Sequence, residues 1–600
     1  GFVYWIFALY MSKWRFASLP DLSSIVKATT VLTITVLISD YILVSPDFYG
    51  SFFFGKITII LYWLLQTSLL GGPRLAYRYL KYAQGRSNAK RADALPALLL
   101  GTGSDIEVLL RSMEAGTMKK IRAEGILSPR QADLGQSIRG VPVLGVLSDI
   151  ERIAGEAAER GEPFRRIVAT SSAMTVEAQP DIWLARTRKL AIPVSRLDSA
   201  GDGLRDTALA PLEIEDLLVR PSVAIDIAKL RHFLTGRRIA VTGGGGSIGS
   251  EICSRCAAFG AAEILIIESS EPALFHVTEL LDTQGDMAKV SGALADVRDR
   301  SRILQLFQDF KPDTVIHAAA LKHVPYLEAD WAEGIKTNIF GSVNVIDCAI
   351  EAGVGTFVMI STDKAIEPVS MLGATKRFAE IYAQARDAEL AVKGSATRLL
   401  AVRFGNVLGS AGSVVPKFKA QIARGGPVTV THPDMIRYFM TIREACDLVL
   451  TAAAHASFDT AKPSSKRAAV YVLKMGQPIR ILDLAERMIR LAGFEPGTDI
   501  EIVTSGARPG ERLHEILFAR DEPMLEIGVD GVMAAEPIFA GRKRIAAWLK
   551  SLATAVEQHN REEADRVLDS AIPDFKHRHD LPAAAPAQIS SQPLPSILQR

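Results

Sequence analysis

Asp363 and Lys364 are adjacent, and together they put one carboxyl and one amine at a single point of the chain, with the hydroxyls of Ser361 and Thr362 just before them. Such a couple can give and take protons if burial and mutual charge move both pKa values toward the working pH. The alternative is an ion-paired Asp–Lys at the end of a strand. A second amine, Lys376, follows in the next element.

A second group of residues works through the backbone. Thr242 and Gly243 open the run TGGGGSIG, in which Gly243, Gly246 and Gly249 recur at every third position around Ser247 and Ile248. The glycines let a loop turn tightly against a phosphate, and the helix that follows offers N–H groups and the positive end of its dipole. A glycine pattern alone is weak evidence. Here RRIAV reads as the strand before it and SEICSRCAAF as the helix after it, which is the context a dinucleotide needs. Glu268 ends the next apolar run, where an acid binds the adenosine ribose hydroxyls. A carboxylate there favours NAD over NADP, because a 2′-phosphate would meet like charge. The alternative is a surface Glu.

These residues require elements that bring them together. Asp296 and Val297 follow a third predicted strand, Ala318 and Ala319 a fourth, leading into Lys322 and His323, and the Asp363–Lys364 couple ends a fifth, TFVMIST. Strands alternating with helices predict an α/β domain with a parallel sheet, spanning 235–555, whose strand ends form a ligand crevice.

The TGGGGSIG loop, the STDK strand end and the GATKR helix resemble the extended short-chain dehydrogenase/reductase family. That family usually carries Tyr four residues before the helix Lys; here the position is Leu372, which has nothing to ionise, with Met371 beside it. STDKA…GATKR with a non-Tyr residue there is similar to one subgroup, the long membrane-anchored polysaccharide-biosynthesis dehydratases of the UDP-N-acetylglucosamine 4,6-dehydratase type. The resemblance extends over nearly the whole chain, through WRFASLPDL, GGPRLAYR, LLVRPSVAIDIAKL, RFGNVLGSAGSVVPKF and RPGERLHEILF.

The resemblance implies a reaction in three stages. Hydride leaves C4 of a UDP-N-acetylhexosamine for a bound NAD (NADP as the alternative), water is eliminated across C5 and C6, and hydride returns to C6, giving a 4-keto-6-deoxy sugar for surface polysaccharide. It implies that Lys364 takes the C5 proton, Asp363 protonates the C6 oxygen, Thr362 bonds the C4 oxygen and Lys376 bonds the nicotinamide ribose. Lys322 would lie near the sugar. Asn406 and the backbone of Gly412, Ser413, Val414 and Val415 would hold sugar and diphosphate, with Arg508 on phosphate and Glu511 on ribose. Segments 411–440 and 472–540 would form the smaller substrate-covering portion. A nucleotide-sugar epimerase of the same fold and an inactive membrane scaffold that senses sugar nucleotides are the rival readings.

The rest of the 600 residues bounds this picture. Lys+Arg 69 against Asp+Glu 67 gives no electrostatic footprint for nucleic acid. Four cysteines, with Cys253 and Cys256 as the lone C-x-x-C, fit packed free thiols, and no metal-ligand spacing stands out. Residues 1–10, 28–46 and 52–70 are apolar runs, so 1–72 is expected to hold transmembrane helices and to lack its natural start. Basic residues at 12–27 and after 70, against Asp47 in the 46–51 turn, orient the catalytic domain to the cytoplasm of a multi-pass inner-membrane protein. A hairpin dipping into one leaflet is the alternative. Asp40, within a run, is expected to face neighbouring helices or water. Residues 94–220 read as a small Rossmann-like domain whose fingerprint is defective: Gly101 and Gly103 stand, but Ile106 replaces the third glycine. The Pro- and Ala-rich tail 572–600 is expected to be disordered. Expected partners are a UDP-sugar, membrane lipid and a second copy of the chain.

Overall fold

The computed structural model describes residues 19–44, 55–88, 94–114, 121–175, 178, 180–190, 192–197, 209–211, 225–284, 288–410, 412–458, 469–518, 522–535 and 540–575. The apolar run 1–10, the 46–51 turn and most of the 572–600 tail lie outside them. The chain divides into two compact units. The first holds residues 1–170, 192–198 and 207–209, and the second holds the rest.

In the first unit two helices, α1 (Leu19–Val44) and α2 (Lys56–Asn88), carry the apolar runs. They are tied by Thr29 Oγ1 to Thr67 Oγ1 at 2.9 Å and by Trp63 Nε1 donating to Thr30 Oγ1 at 3.0 Å. Asp40 is buried, whereas Ile34, Leu37, Ile38, Ile57, Leu64 and Leu65 are exposed. Several crossings were expected; among the described residues only Ser23–Ile42 is long and apolar enough to span a bilayer, and the apolar part of α2, Ile57–Pro73, is shorter. Beyond Pro73 α2 continues through the basic segment to Asn88, so Gly71, Gly72 and Pro73 do not end it. Pro costs an interior helix one hydrogen bond, and the good helix formers that follow outlast that loss.

The same unit holds strands β1 (Leu95–Leu100), β2 (Ile121–Ser128), β3 (Ser137–Ile138), β4 (Val141–Val146), β5 (Arg166–Ala169) and β6 (Val194–Leu197), and its sheet runs in the order β3-β4-β2-β1-β5-β6-β7, with β7 (Leu209–Pro211) at the edge. Ile106 lies wholly inside its core with Leu99, Leu109 and Ile126. The residue replacing the third glycine is therefore a packing residue.

The second unit is built on β8 (Arg238–Thr242), β9 (Glu263–Glu268), β10 (Lys289–Leu294), β11 (Thr314–His317), β12 (Thr356–Thr362) and β13 (Arg398–Phe404). They lie in the order β10-β9-β8-β11-β12-β13, all parallel, which is the dinucleotide-fold order with its switch point between β8 and β11. The sheet continues through β17 (Val470–Leu473), parallel to β13, and then the antiparallel β21 (Val532–Ala535) and β20 (Met524–Glu526). Both faces are covered. Ala240, Leu265 and Ile267 enter one core while Ile239, Val241, Ile264 and Ile266 enter the other, as the two-residue period of a strand dictates.

From β13 Arg403 bridges Glu380 and Glu522 at 2.6 Å each, and Arg377 also pairs with both acids. A smaller portion contains β14 (Asn406–Val407), β15 (Val428–Val430), β16 (Ile436–Met440), β18 (Pro478–Arg480) and β19 (Ile502–Thr504) around Val415, Phe418, Phe439 and Met488. At the far end of the chain Arg561 donates to the Glu328 carbonyl at 2.6 Å and pairs with its carboxylate. Glu328 Oε1 in turn accepts Met371 N at 2.7 Å, at the start of the helix Met371–Val392.

Candidate active site

The glycine loop closes the carboxyl end of β8. Gly243 has φ +68°, and a Cβ there would stand 2.5 Å from Ala319 N, so the loop lies directly on the Ala318–Ala319 turn that leaves β11. A Cβ at Gly249 would stand 2.2 Å from Gly243 O, so only glycine lets the helix Ser247–Ala258 pack this close to the loop. Gly246 is its N-cap and supplies no capping side chain. Ser247 and Ile248 begin its first turn, where the unpaired N–H groups and the positive end of the dipole lie.

Glu268 braces this loop. Its Oε2 accepts Gly245 N at 3.0 Å, and its Oε1 accepts Ser269 N at 2.9 Å and Ser270 N at 3.1 Å. Three other expected contacts are turned to protein. Asp296 is gripped by Arg298, whose Nε donates at 2.8 Å and whose hydrogen bonds, aided by its charge, hold the carboxyl below its usual pKa. Val297 is buried. Thr242 Oγ1 lies 2.7 Å from His317 Nδ1, and His317 Nε2 lies 3.0 Å from Ser342 Oγ, which itself donates to Asn338 O. Burial, helped by Lys376, pushes His317 down to about 3, so the ring is neutral with its proton on Nε2, and Thr242 donates to Nδ1.

The reactive couple ends β12. Thr362 Oγ1 donates to Asp363 Oδ1 at 2.9 Å, and Lys364 Nζ donates to the same oxygen at 3.0 Å. Asp363 is 3% exposed, and its Oδ2 is buried with no hydrogen-bond partner. Burial raises the Asp363 pKa against the pull of Lys364, with Glu515 adding to the rise. Lys364 is also raised: burial would lower it, but the charges of Asp363 and Glu515 win. Glu515 Oε1 stands 3.1 Å from Lys364 Nζ and 3.3 Å from Arg437 Nε.

The helix carrying Lys376 comes down on this couple. A Cβ at Gly373 would lie 2.1 Å from Lys364 O, so the GATKR glycine sets the approach. Lys376 is buried and donates to Ile360 O at 2.9 Å; burial drops its pKa to about 8, opposed by Glu380. Leu372 packs in the core with Met371.

The remaining expected residues belong to the smaller portion and its neighbours. Asn406 Nδ2 reaches Tyr438 O at 3.4 Å. Gly412, at φ +73°, faces the His323 ring, where a Cβ would stand 2.6 Å from Cε1. Ser413 Oγ and Glu511 Oε2 are buried without hydrogen-bond partners. Val414 is half-buried and Val415 is in the core, so at these two positions the backbone is what could meet a ligand. Lys322 reaches solvent, but the protein around it lowers its pKa. Arg508 is exposed, and with Glu511 it acts electrostatically on Lys417, whose pKa falls through burial and the Arg508 charge.

Lys417, Glu515 and Arg437 escape sequence reasoning. Each lies inside a motif singled out for other residues or in plain strand sequence, and the pairing of Ile436 with His514, with Arg437 donating to Arg512 O and Leu513 O, brings two of them to the couple. The one available signal was RLHEILF, an acid set among apolar residues just after RPGE.

The parallel sheet, the glycine cradle and the β12-end couple with its helix Lys define an extended short-chain dehydrogenase/reductase fold. Within it the chain belongs to the polysaccharide biosynthesis protein family, whose model matches residues 239–537. The capsular polysaccharide biosynthesis protein CapD of Staphylococcus aureus is 36% identical over 576 residues, spanning 95% of this chain and 88% of that one. A UDP-N-acetylglucosamine 4,6-dehydratase (inverting) of Campylobacter jejuni is 33% identical over 50% of this chain and 83% of its own. An uncharacterized membrane protein of Methanocaldococcus jannaschii is 42% identical over 49% of this chain and 84% of its own.

Proposed function

We propose that this protein is a nucleotide-sugar 4,6-dehydratase that converts a UDP-N-acetylhexosamine, UDP-N-acetylglucosamine by preference, to its 4-keto-6-deoxy derivative. The observation that carries this reading is Asp363. One of its oxygens gathers Thr362 and Lys364 while the other is buried and unsatisfied. A buried polar atom left without a partner costs about 1–3 kcal/mol, so a ligand hydroxyl delivered there is favoured. The 33% identical dehydratase supports the same reading.

The residues present fit a dinucleotide. Gly243 and Gly249 admit no Cβ, Gly246 caps its helix without a side chain, and Glu268 faces the loop. Gly243, Gly246, Ser247, Ile248 and Gly249 would hold the pyrophosphate, Glu268 a ribose, Ala318 and Ala319 the floor, and Lys376 the nicotinamide ribose. Thr242 and Asp296 would act through the protein groups they already bind. Bound NAD would supply the acceptor and later the donor of hydride at C4 and C6.

The protein's own work is to move protons. Thr362 Oγ1 receives the proton of the C4 hydroxyl and passes its own to Asp363 Oδ1, a route that needs no Tyr at 372. Lys364, as the free amine, takes the C5 proton. Asp363 gives its proton to the departing C6 oxygen, which leaves as water. Lys364 then returns its proton to C5. The Asp363 carboxylate and the free Lys364 amine are both restored. Lys417, Arg508, Glu511 and Ser413 would hold the diphosphate and ribose, with Asn406 and Lys322 nearer the sugar.

The apolar α1, and the relative described as a membrane protein, support attachment to a membrane. An inner-membrane, multi-pass arrangement with the catalytic unit in the cytoplasm is our reading of the basic flanks. Incubation of purified protein with UDP-N-acetylglucosamine decides the reaction. A product lighter by one water supports dehydration, and an isobaric product would replace this reading with epimerisation.

A further inference from the structure

The structure assigns Glu515 a role beside the Asp363–Lys364 couple: we propose that it is a positioning residue, reaching in from the RPGE-containing segment to hold the Lys364 amine for proton transfer at C5. The inference deepens the dehydratase reading and rests on it.

Lys364 Nζ lies between two carboxylates, 3.0 Å from Asp363 Oδ1 and 3.1 Å from Glu515 Oε1. Glu515 is itself fixed. Its side chain is 4% exposed, and the oxygen that meets Lys364 also meets Arg437 Nε at 3.3 Å. Arg437 cannot swing away, because its other nitrogens donate to Ile436 O at 2.8 Å and Arg512 O at 2.9 Å. Arg512 in turn donates to Ile366 O at 3.2 Å and to Glu367 O, in the loop that leaves the couple. The groups charged around Lys364 are therefore Asp363 on its own loop, Glu515 and Arg512 on the 508–518 segment, and Arg437 on β16.

Two consequences follow from this geometry. With two carboxylates on it, the amine has its direction fixed and at most one N–H left for a substrate. And the second carboxylate stabilises the ammonium over the free amine, so Glu515 sets how high the pH must rise before Lys364 can accept the C5 proton. The acid that places the base thus also restrains it.

The test is the pH profile of product formation from UDP-N-acetylglucosamine by full-length wild type and Glu515→Gln, read by mass spectrometry, with uptake of solvent deuterium at C5 followed by NMR. The expected result is an acidic limb of kcat displaced to lower pH in E515Q, by about one unit for the loss of a close countercharge, with slower C5 exchange at the plateau because the amine is less well placed. A limb at the wild-type position, whatever the amplitude, would overturn the inference and reduce Glu515 to a structural residue. If E515Q does not fold, Glu515→Asp carries the test. Its shorter reach moves the limb the same way by less, and an unmoved limb is again fatal. Absence of water loss in wild type would instead strike the dehydratase reading itself, so the two failures are told apart.

Discussion

A methyl group at position 405 would stand 2.8 Å from Asp363 Oδ2, the buried oxygen with no partner of its own, so Gly405 is what leaves room for that oxygen. Gly405→Ala should therefore push the carboxylate off its line. We expect kcat to fall at least tenfold while the loss of stability stays within the 1–3 kcal/mol typical of overpacking. Steady-state kinetics beside a denaturant melt would show it. Unchanged kcat would mean that Oδ2 does not meet substrate.

Removing either partner of the couple should stop the elimination while sparing the fold. Asp363→Asn keeps the shape and removes the transferable proton, and Lys364→Ala removes the amine. Each should slow water loss by roughly 10²–10⁴, the usual worth of a positioned acid or base. Product formation at the wild-type rate in both variants would end the assignment of chemistry to this pair.

Thr362 and Leu372 make opposite predictions. Thr362→Val removes the hydroxyl that donates to Asp363 Oδ1 and should slow oxidation at C4, seen as less reduced cofactor in a single turnover. Leu372→Tyr restores the residue type usual in similar enzymes, but Leu372 is buried in the core. The larger ring should cost about 1–3 kcal/mol and give no gain in rate. A faster L372Y enzyme would show that the relay through Thr362 is not the route.

Lys376 ties stability to pH. In the folded chain it loses its proton near 8, against 10.5 for an unburied lysine. Between those values the unfolded chain holds the extra proton, so the Lys376 contribution makes stability rise with pH across that window and makes none of that gain below it. Lys376→Met should flatten this part of the profile relative to wild type. Urea unfolding at a series of pH values from 7 to 11 would test it, and parallel curves for the two proteins would refute it.

Glu268 should govern the choice of cofactor. Glu268→Gln keeps an acceptor for Gly245 but removes the charge that a 2′-phosphate would meet. The preference for NADH over NADPH, read by fluorescence titration, should narrow. An unaltered ratio would place the ribose elsewhere.

The dinucleotide-fold sheet was legible because its strands are buried on both faces and end on distinctive residues. RRIAVT, AEILIIE and TFVMIST each hold an unbroken apolar stretch, IAV, ILII and FVMI, followed within a few residues by a turn whose glycines or polar residues mark the strand end. The strand β2 went unread, because Arg122 and Glu124 pair with each other on it and break the apolar run. The length of α2 is not legible from its apolar run alone, because the helix passes through Gly71, Gly72 and Pro73, which are local stop signals. In the site, the adjacent Asp363–Lys364 couple needed no folding to be noticed. Glu515 and Arg437 did, since their meeting with Lys364 depends on the pairing of segments far apart in the chain. Nor could sequence tell that Thr242 spends its hydroxyl on His317.

The clasp of Arg561 on Glu328 places the far end of the chain in mechanical touch with the amide that begins the Lys376 helix. An allele whose reading frame closes before Arg561 would keep every residue named in the chemistry and still lose the strut beneath it. Such truncations belong with damaging variants, and an affinity handle spliced into the helix Arg561–Ala571 would disturb the same strut.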